Sequence, residues 1–382
     1  VAKPGAIFWR REKVIYADAA ATTRLAPGVL EAMLPYLENS FFNPGGVYLG
    51  AVDVRRAVNN AHSVMGEALG CQGREIFFTS GGTEADNWAL KQFITEKPAH
   101  IITSQIEHKA ILNACKTLQQ MGWEVTYLPV DKQGIVRPGN LRSALRSNTR
   151  LVSIMLANNE VGTIEPIQEL AVMAHAGGAL FHTDAVQAVG HIPVNVNTLG
   201  VDFLSLSAHK FGGPKGMGAL YARNGAVTPF VDGGGQEMGR RSGTENVAGI
   251  IGTATALMLA AGLMENNAKK TSDLRDRIID GLSGIGGVLV TGPEPGPLRL
   301  PGLASFIIEG VDSETLVMDL SAKGICVSAG SACSSGTGKP SYVLRSLGYS
   351  ERERPGPVCV FPWMTASHPM RFQSSSRRSN QA

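Results

Sequence analysis

The sequence predicts an α/β protein with a largely parallel central sheet covered by helices on both faces. Two patterns carry that prediction. Short apolar runs alternate with segments of helical periodicity along most of the chain, as strand–helix–strand units do. Several of the apolar runs open into glycine-rich or polar loops, where open α/β sheets place their ligands. A third observation, the length of 382 residues, allows a large core and implies one large domain with a smaller companion.

Taken in order, Tyr16–Thr23 reads as a short strand leading into small residues. Leu30, Met33, Leu34 and Leu37 give a helical stripe over Pro27–Leu37. Asn43-Pro44-Gly45-Gly46 marks a turn, and Val54, Val58, Ala61, Met65 and Leu69 mark a second helix stopped by Gly70. Glu75–Ser80 reads as a strand, followed by Gly81-Gly82 and by Thr83-Glu84-Ala85-Asp86, which has capping-box spacing. A strand, glycines and a helix N-terminus make an anion site, because free N–H groups and the positive end of the dipole face the ligand. Strands are expected over Ile101–Ser104, Val125–Val130, Leu151–Ala157, Leu180–Ala185 and Val201–Leu206. Helical faces lie between them, at Ile111, Cys115 and Leu118, and from Pro166 to the Gly177-Gly178 stop.

Composition excludes several classes. Hydrophobic residues make up 43% and charged residues 18%, ordinary globular values, and the net charge of +3 does not call for nucleic acid. The tail from Glu351 holds five arginines and two glutamates and so supplies that charge by itself. The five cysteines (Cys71, Cys115, Cys326, Cys333, Cys359) show no paired spacing and no CxxC, against a disulfide framework or a metal site. Val247–Met264 carries no charge, yet its glycines and threonines read as a buried helix rather than a membrane span. No signal peptide is read at the N-terminus, so a soluble cytoplasmic protein is expected.

Polar groups gather at the strand ends: Gly82 with Thr83, Asn159, Asp184 with Gln187, and Ser207-Ala208-His209-Lys210. In a parallel sheet these ends share one edge and can converge on one pocket. Singly, each is equally a turn residue or a helix cap. A desolvated lysine can form a Schiff base with an aldehyde, and a buried carboxylate keeps a pyridine nitrogen protonated, so the group fits pyridoxal phosphate. His108, just beyond the strand ending at Ser104, is placed to stack on a ring and handle protons. Lys215, in the same glycine-rich loop as Lys210, is the solvated counterpart.

These segments resemble the cysteine desulfurase family: Phe78-Thr79-Ser80-Gly81-Gly82-Thr83-Glu84, Glu107-His108-Lys109, Asn158–Gly162, Asp184-x-x-Gln187, Ser207–Lys210 and Arg241-Ser242-Gly243-Thr244. The match runs from about Tyr16 to Tyr349. It implies a fold-type I pyridoxal phosphate enzyme of the class V aminotransferase group. The implied layout is an N-terminal segment (1–15) joining the small domain, a large cofactor domain (16–255) and a small α+β domain (256–350). The resemblance implies that Lys210 holds the cofactor, His108 stacks on it, Asp184 meets the ring nitrogen and Gln187 the phenolic oxygen. Asn159 would contact cofactor or substrate, Gly82, Thr83, Ser207 and His209 would bind the phosphate, and Thr244 would reach the phosphate of a partner subunit in a homodimer.

Cys333 lies in Ser331-Ala332-Cys333-Ser334-Ser335-Gly336-Thr337-Gly338, where small residues around a thiol predict a mobile, exposed loop. Desulfuration needs such a thiolate to take sulfur from L-cysteine as a persulfide, leaving L-alanine, and to pass it on. The long loop resembles the group that feeds iron–sulfur cluster assembly and nitrogenase maturation. The implied partner is a scaffold or other sulfur acceptor, with which Cys333 could transiently ligate a cluster; no resident metal, nucleic acid or membrane is expected. Two rivals stand beside this reading: a selenocysteine lyase or other lyase of the same fold, and a catalytically impaired partner-binding homologue.

The chain departs from the family twice. Val47-Tyr48 stands where the family carries a histidine after its Asn-Pro turn, with an altered substrate pocket as the expected effect. After Ser350 the family continues into an Arg-x-Ser-x-Gly strand whose arginine clamps the substrate carboxylate. Here residues 351–382 show no periodicity and read as a disordered tail. Codons for Pro357–Trp363, read from the third base, permit Arg-Leu-Arg-Val-Ser-Leu, so a frame break near Arg354 is expected. Arg345 belongs to a different motif.

Overall fold

The computed structural model describes residues 14–330 and 341–349, together with the backbone of a strand at Val358–Val360. The chain opens with β1 (Ile15–Tyr16), α1 (Val29–Glu38) and α2 (Leu49–Leu69). There follow β2 (Ile76–Thr79), α3 (Gly82–Lys91), β3 (His100–Ser104), α4 (Lys109–Gln120) and β4 (Glu124–Leu128). After α5 (Pro138–Ala144) come β5 (Thr149–Ser153), α6 (Ile167–Ala176), β6 (Leu180–Asp184), α7 (Val196–Leu199) and β7 (Phe203–Ser207). Next are β8 (Gly218–Ala222), the single turn α8 (Gln236–Gly239) and α9 (Val247–Ser283).

The seven-stranded sheet has the order β2-β8-β7-β6-β5-β3-β4. The pairs from β7 to β4 are parallel, and β8 runs antiparallel to both its neighbours. The expected strands are present, although the one expected over Leu151–Ala157 ends at Ser153. Beyond it the backbone bends to bridge Ala157 to Ile164, which carries Asn158 and Asn159 off the sheet edge. The sequence reading missed β8, a run of small and apolar residues after the glycine loop. Its first residue is glycine for a steric reason. A Cβ on Gly218 would lie 2.6 Å from backbone atoms of Gly81 and Leu206, so a side chain there would push the α3 N-terminus off the sheet.

The helices cover the sheet as their periodicity demands. Val54, Val58, Ala61, Met65 and Leu69 of α2 are buried, and Gly70 ends the helix in the left-handed conformation at φ 77°. Each of the buried Val, Met and Leu side chains among them stabilises the fold by roughly 1.5–3 kcal/mol. α9 packs its apolar half against α1 and α2, with half of that stretch buried. The α1 stripe departs from expectation: Leu30, Leu34 and Leu37 face outward, and Val29 is the residue of that helix that is buried.

The remaining elements are β9 (Val288–Val290), β10 (Ala304–Ile308), α10 (Ser313–Ala322), β11 (Ile325–Cys326), β12 (Ser328–Ala329), α11 (Tyr342–Ser346) and β13 (Val358–Val360). A four-stranded antiparallel sheet has the order β12-β13-β10-β9, and β1 pairs in parallel with β11. β13 corrects the expectation of a disordered tail for Val358–Val360: their backbone groups complete the ladders of β10 and β12. The rest of the tail, 350–357 and 361–382, lies outside the described residues, as do residues 1–13.

Candidate active site

The parallel strands β2, β3, β5, β6 and β7 present their C-terminal ends on one edge of the large sheet. A cavity of about 220 Å³ opens there, lined by Gly82, Thr83, His108, Asn159, Asp184, Gln187, Ser207, His209 and Lys210, as the sequence predicts. A polar recess at the start of α3 adjoins it and shares Gly82, Thr83, Ser207 and His209. Cys333 lies outside the described residues. Gly330, which precedes that segment, lines the cavity.

Lys210 ends the turn that follows β7. Its Nζ donates to the carbonyls of Ala20 and Ala21, the latter at 2.8 Å, which holds the amine at the cavity wall. His191 Nε2 lies 2.9 Å from the Lys210 carbonyl and fixes the backbone behind it; burial pulls the His191 pKa down to about 4. His209 lies 3.0 Å from the Thr22 hydroxyl, and burial, followed by the charges of Lys210 and Lys215, lowers its pKa to about 4. A neutral ring at neutral pH donates a hydrogen bond without adding charge. Lys215 is exposed, as expected of the solvated counterpart.

The opposite wall is acidic. Asp184 ends β6, is 5% exposed and accepts the Val186 N–H at 2.9 Å. Burial raises its pKa, while His108, that N–H and Lys210 pull the other way. His108 caps α4: its Nδ1 accepts the Ala110 N–H at 3.2 Å, so the neutral ring carries its proton on Nε2. Gln187 donates to the Ala20 carbonyl at 3.0 Å, which joins it to the same backbone that holds Lys210. The Asn159 Oδ1 is buried without a hydrogen-bond partner among the described residues. A native buried acceptor of that kind calls for a donor from a bound group.

The α3 N-terminus forms differently from the capping box expected of Thr83 and Asp86. Gly81 is the capping residue, and Glu84 reaches back to accept the Ser80 N–H at 2.8 Å. Arg241 grips the same carboxylate with two hydrogen bonds, at 2.8 and 3.1 Å. Burial opposes ionisation of Glu84, yet the hydrogen bonds from Arg241 and Ser80 hold its carboxyl below the usual range. Asp86 is freed to turn inward, where it lines the cavity at 1% exposure; the sequence reading assigned it no role there. Thr244 is exposed and does not line the cavity of its own chain. Tyr48 does not line it either: it is the N-cap residue of α2, half exposed, with its ring against Phe42.

Glu107 sits behind His108, fully buried, accepting from the Ser104 hydroxyl at 2.6 Å and the Met155 N–H at 3.0 Å. Burial is the main cause that pushes its pKa up to about 8. The Glu107 carbonyl accepts the Tyr342 hydroxyl at 2.6 Å, and Glu160 accepts Ser341 Oγ at 2.5 Å. These two bonds tie the root of α11 to the elements that carry His108 and Asn159.

The family profile for class-V aminotransferases matches residues 15–353. A curated relative, cysteine desulfurase IscS of Methanosarcina thermophila, is 48% identical over 340 residues, 88% of this chain and 84% of the relative. Among solved structures, one described as a NifS-like protein superposes with a TM-score of 0.85 at 36% identity, covering 91% of this chain and 93% of its own. Another, described as SspA in complex with cysteine, gives a TM-score of 0.80 at 33% identity, covering 91% and 99%.

Proposed function

This chain belongs to the class-V aminotransferase family, within which its relatives are cysteine desulfurases, and from that premise we propose how its own residues carry the activity. It is a desulfurase of L-cysteine that uses pyridoxal 5'-phosphate, a cofactor general to the family. The observation that carries the reading is the convergence on one cavity of Lys210, Asp184, His108 and Asn159, whose Oδ1 has no hydrogen-bond partner among the described residues.

The residues present fit that cofactor. Lys210 would hold its aldehyde and Asp184 its ring nitrogen. His108 would lie on the ring, Gln187 would meet its phenolic oxygen, and Asn159 would contact cofactor or substrate. Gly82, Thr83, Ser207 and His209 surround the recess at the α3 N-terminus, which suits a phosphate. A Cβ on Gly82 would lie 2.6 Å from Val186, so the backbone at that corner admits no side chain. When bound, the cofactor supplies an electron sink for the carbon skeleton of the substrate.

Lys210 and His108 are the groups that move protons at the substrate carbons; Nε2 of His108 is the position free to do so. The Cys333 thiolate takes the sulfur: the Cβ–S bond of cysteine breaks, an S–S bond forms on Cys333, and the carbon skeleton leaves as alanine. Cysteine plus enzyme thiol thus becomes alanine plus enzyme persulfide, without an external oxidant. An iron–sulfur scaffold or similar acceptor would receive that sulfur, in the cytoplasm. A homodimer completes the site in this reading. Thr244, three residues after Arg241, is exposed, and Leu30, Leu34 and Leu37 of α1 give an outward apolar stripe for a second copy. The test is cysteine turnover by the cofactor-loaded enzyme with mass analysis of Cys333. Stoichiometric alanine and one added sulfur on that residue are expected; alanine without added sulfur there would remove the role of Cys333.

A further inference from the structure

Two carboxyl groups line the cavity, Asp184 and Asp86, and the roles above use the first. Asp86 lies on α3, 1% exposed, with its Oδ1 unpartnered among the described residues. One oxygen of Asp86, one of Asp184 and a ring nitrogen of His108 lie within 4.8 Å of one another. Two buried carboxylates at that separation cannot both ionise cheaply.

The surroundings decide which one keeps the proton. From β6, His182 brings Nε2 to 3.8 Å from Asp86 Oδ1. That imidazole supplies no charge: its two nitrogens lie 2.8 and 2.9 Å from the hydroxyls of Ser153 and Ser205, and burial takes its pKa down to about 3. From the turn after β3, Glu107 adds a third acid, itself buried. From β7, Ser205 favours the Asp86 anion, an effect smaller than those of burial and of the Asp184 charge. More groups stabilise negative charge on Asp184: the Val186 N–H, His108 and Lys210. Burial first, then the charge of Asp184, pushes Asp86 well above the usual carboxylate range.

We propose that Asp86 is a positioning residue of this site, a carboxyl that keeps its proton at neutral pH and leaves Asp184 as the anion that would meet the cofactor's ring nitrogen. The functional half rests on the pyridoxal phosphate reading above; the protonation state does not depend on any ligand.

The first arm of the test uses cofactor-free protein. The folded-state pKa of Asp86 exceeds its unfolded value of about 3.9, so its stabilising contribution is complete below that pH and is lost as pH rises toward the folded pKa. Asp86→Asn removes the titration. The melting temperature of Asp86→Asn minus that of wild type should therefore increase from pH 5 to pH 9. A flat or falling difference overturns the assignment. The second arm measures pyridoxal phosphate affinity at pH 7.5 by absorbance titration. Asp86→Ala removes the buried carboxyl beside Asp184 and leaves a void at the cavity wall, and should weaken binding by about tenfold or more. Asp86→Asn, the neutral isostere, should recover to within about threefold of wild type, whereas Asp184→Asn should not recover. An Asn variant as weak as the Ala variant would mean that Asp86 acts as an anion, against the proposal. If wild type itself fails to bind pyridoxal phosphate, the cofactor reading falls, and the melting series still decides the charge of Asp86.

Discussion

If the frame breaks near Arg354, restoring it should raise kcat/KM for cysteine. The family match stops at residue 353, and the strand that follows is β13. Its register puts Cys359 opposite Ser305 on one side and Ser328 on the other. Ser328 lines the cavity and bonds to Asp18, so position 359 lies one strand spacing, about 4.8 Å, from the cavity wall. In the shifted frame the codons permit Arg-Val-Ser-Leu across this register, which would bring an arginine to about position 359, where a substrate carboxylate needs a cation. A charge-assisted pair to a carboxylate is worth about 2–5 kcal/mol when its partner is buried. At about 1.4 kcal/mol per tenfold, and allowing for partial solvation at the cavity mouth, the restored chain should gain roughly ten- to thousand-fold. The assay is alanine formation at subsaturating cysteine, comparing the chain as given with one carrying the shifted tail. Cofactor affinity should match in the two, because the lining residues assigned to the cofactor all precede residue 330. A gene that encodes the tail as given, in an enzyme no less active than the restored chain, would refute the reasoning.

Three further outcomes follow from the site. Lys210→Ala should abolish the visible absorbance of the cofactor-loaded protein while circular dichroism stays unchanged; retained colour, fixed by borohydride onto another lysine, would reassign the anchor. Cys333→Ser should keep that absorbance and bind cysteine, yet release almost no alanine and carry no added sulfur; normal alanine output would favour direct release of the sulfur. Glu107→Gln tests a pH sign. The Glu107 pKa rises from near 4.5 to about 8 on folding, so its contribution is present below the unfolded value and fades as pH climbs through 8. Glu107→Gln should therefore melt higher than wild type at pH 9, with a smaller gain at pH 5; a gain largest at pH 5 would reverse the assignment.

The large sheet was legible because its strands are apolar runs punctuated by glycine, and parallel strands put their ends on one edge whatever the loops do. What escaped the sequence followed from tertiary context. β8 is Gly218-Ala219-Leu220-Tyr221-Ala222, whose small residues suit the crowded space between β2 and β7 but carry no strand signature. The α1 stripe has helical spacing, yet periodicity cannot say whether a face turns to its own core or outward. Val358–Val360 read as tail because three residues are too few for a pattern, while the open ladders of β10 and β12 were enough to recruit them.

The site shows the same division between residue type and direction. Lys210, Asp184, His108 and Asn159 follow strand ends, so their convergence was readable from order alone. Asp86 was not, because Thr83-x-x-Asp86 has the spacing of a cap and nothing local says that Glu84 will take that work. Arg241, 157 positions away, grips Glu84 and so frees Asp86 to turn inward. That long-range bond also fixes where the segment leading to Thr244 leaves the α3 N-terminus. Breaking it with Arg241→Met should therefore disturb two things together, the capping of the phosphate recess and the presentation of Thr244 to a second copy. Cofactor affinity and dimer stability, measured by absorbance titration and by sedimentation, should fall in parallel. A variant that loses one and keeps the other would separate the two roles and place Arg241 with whichever it lost.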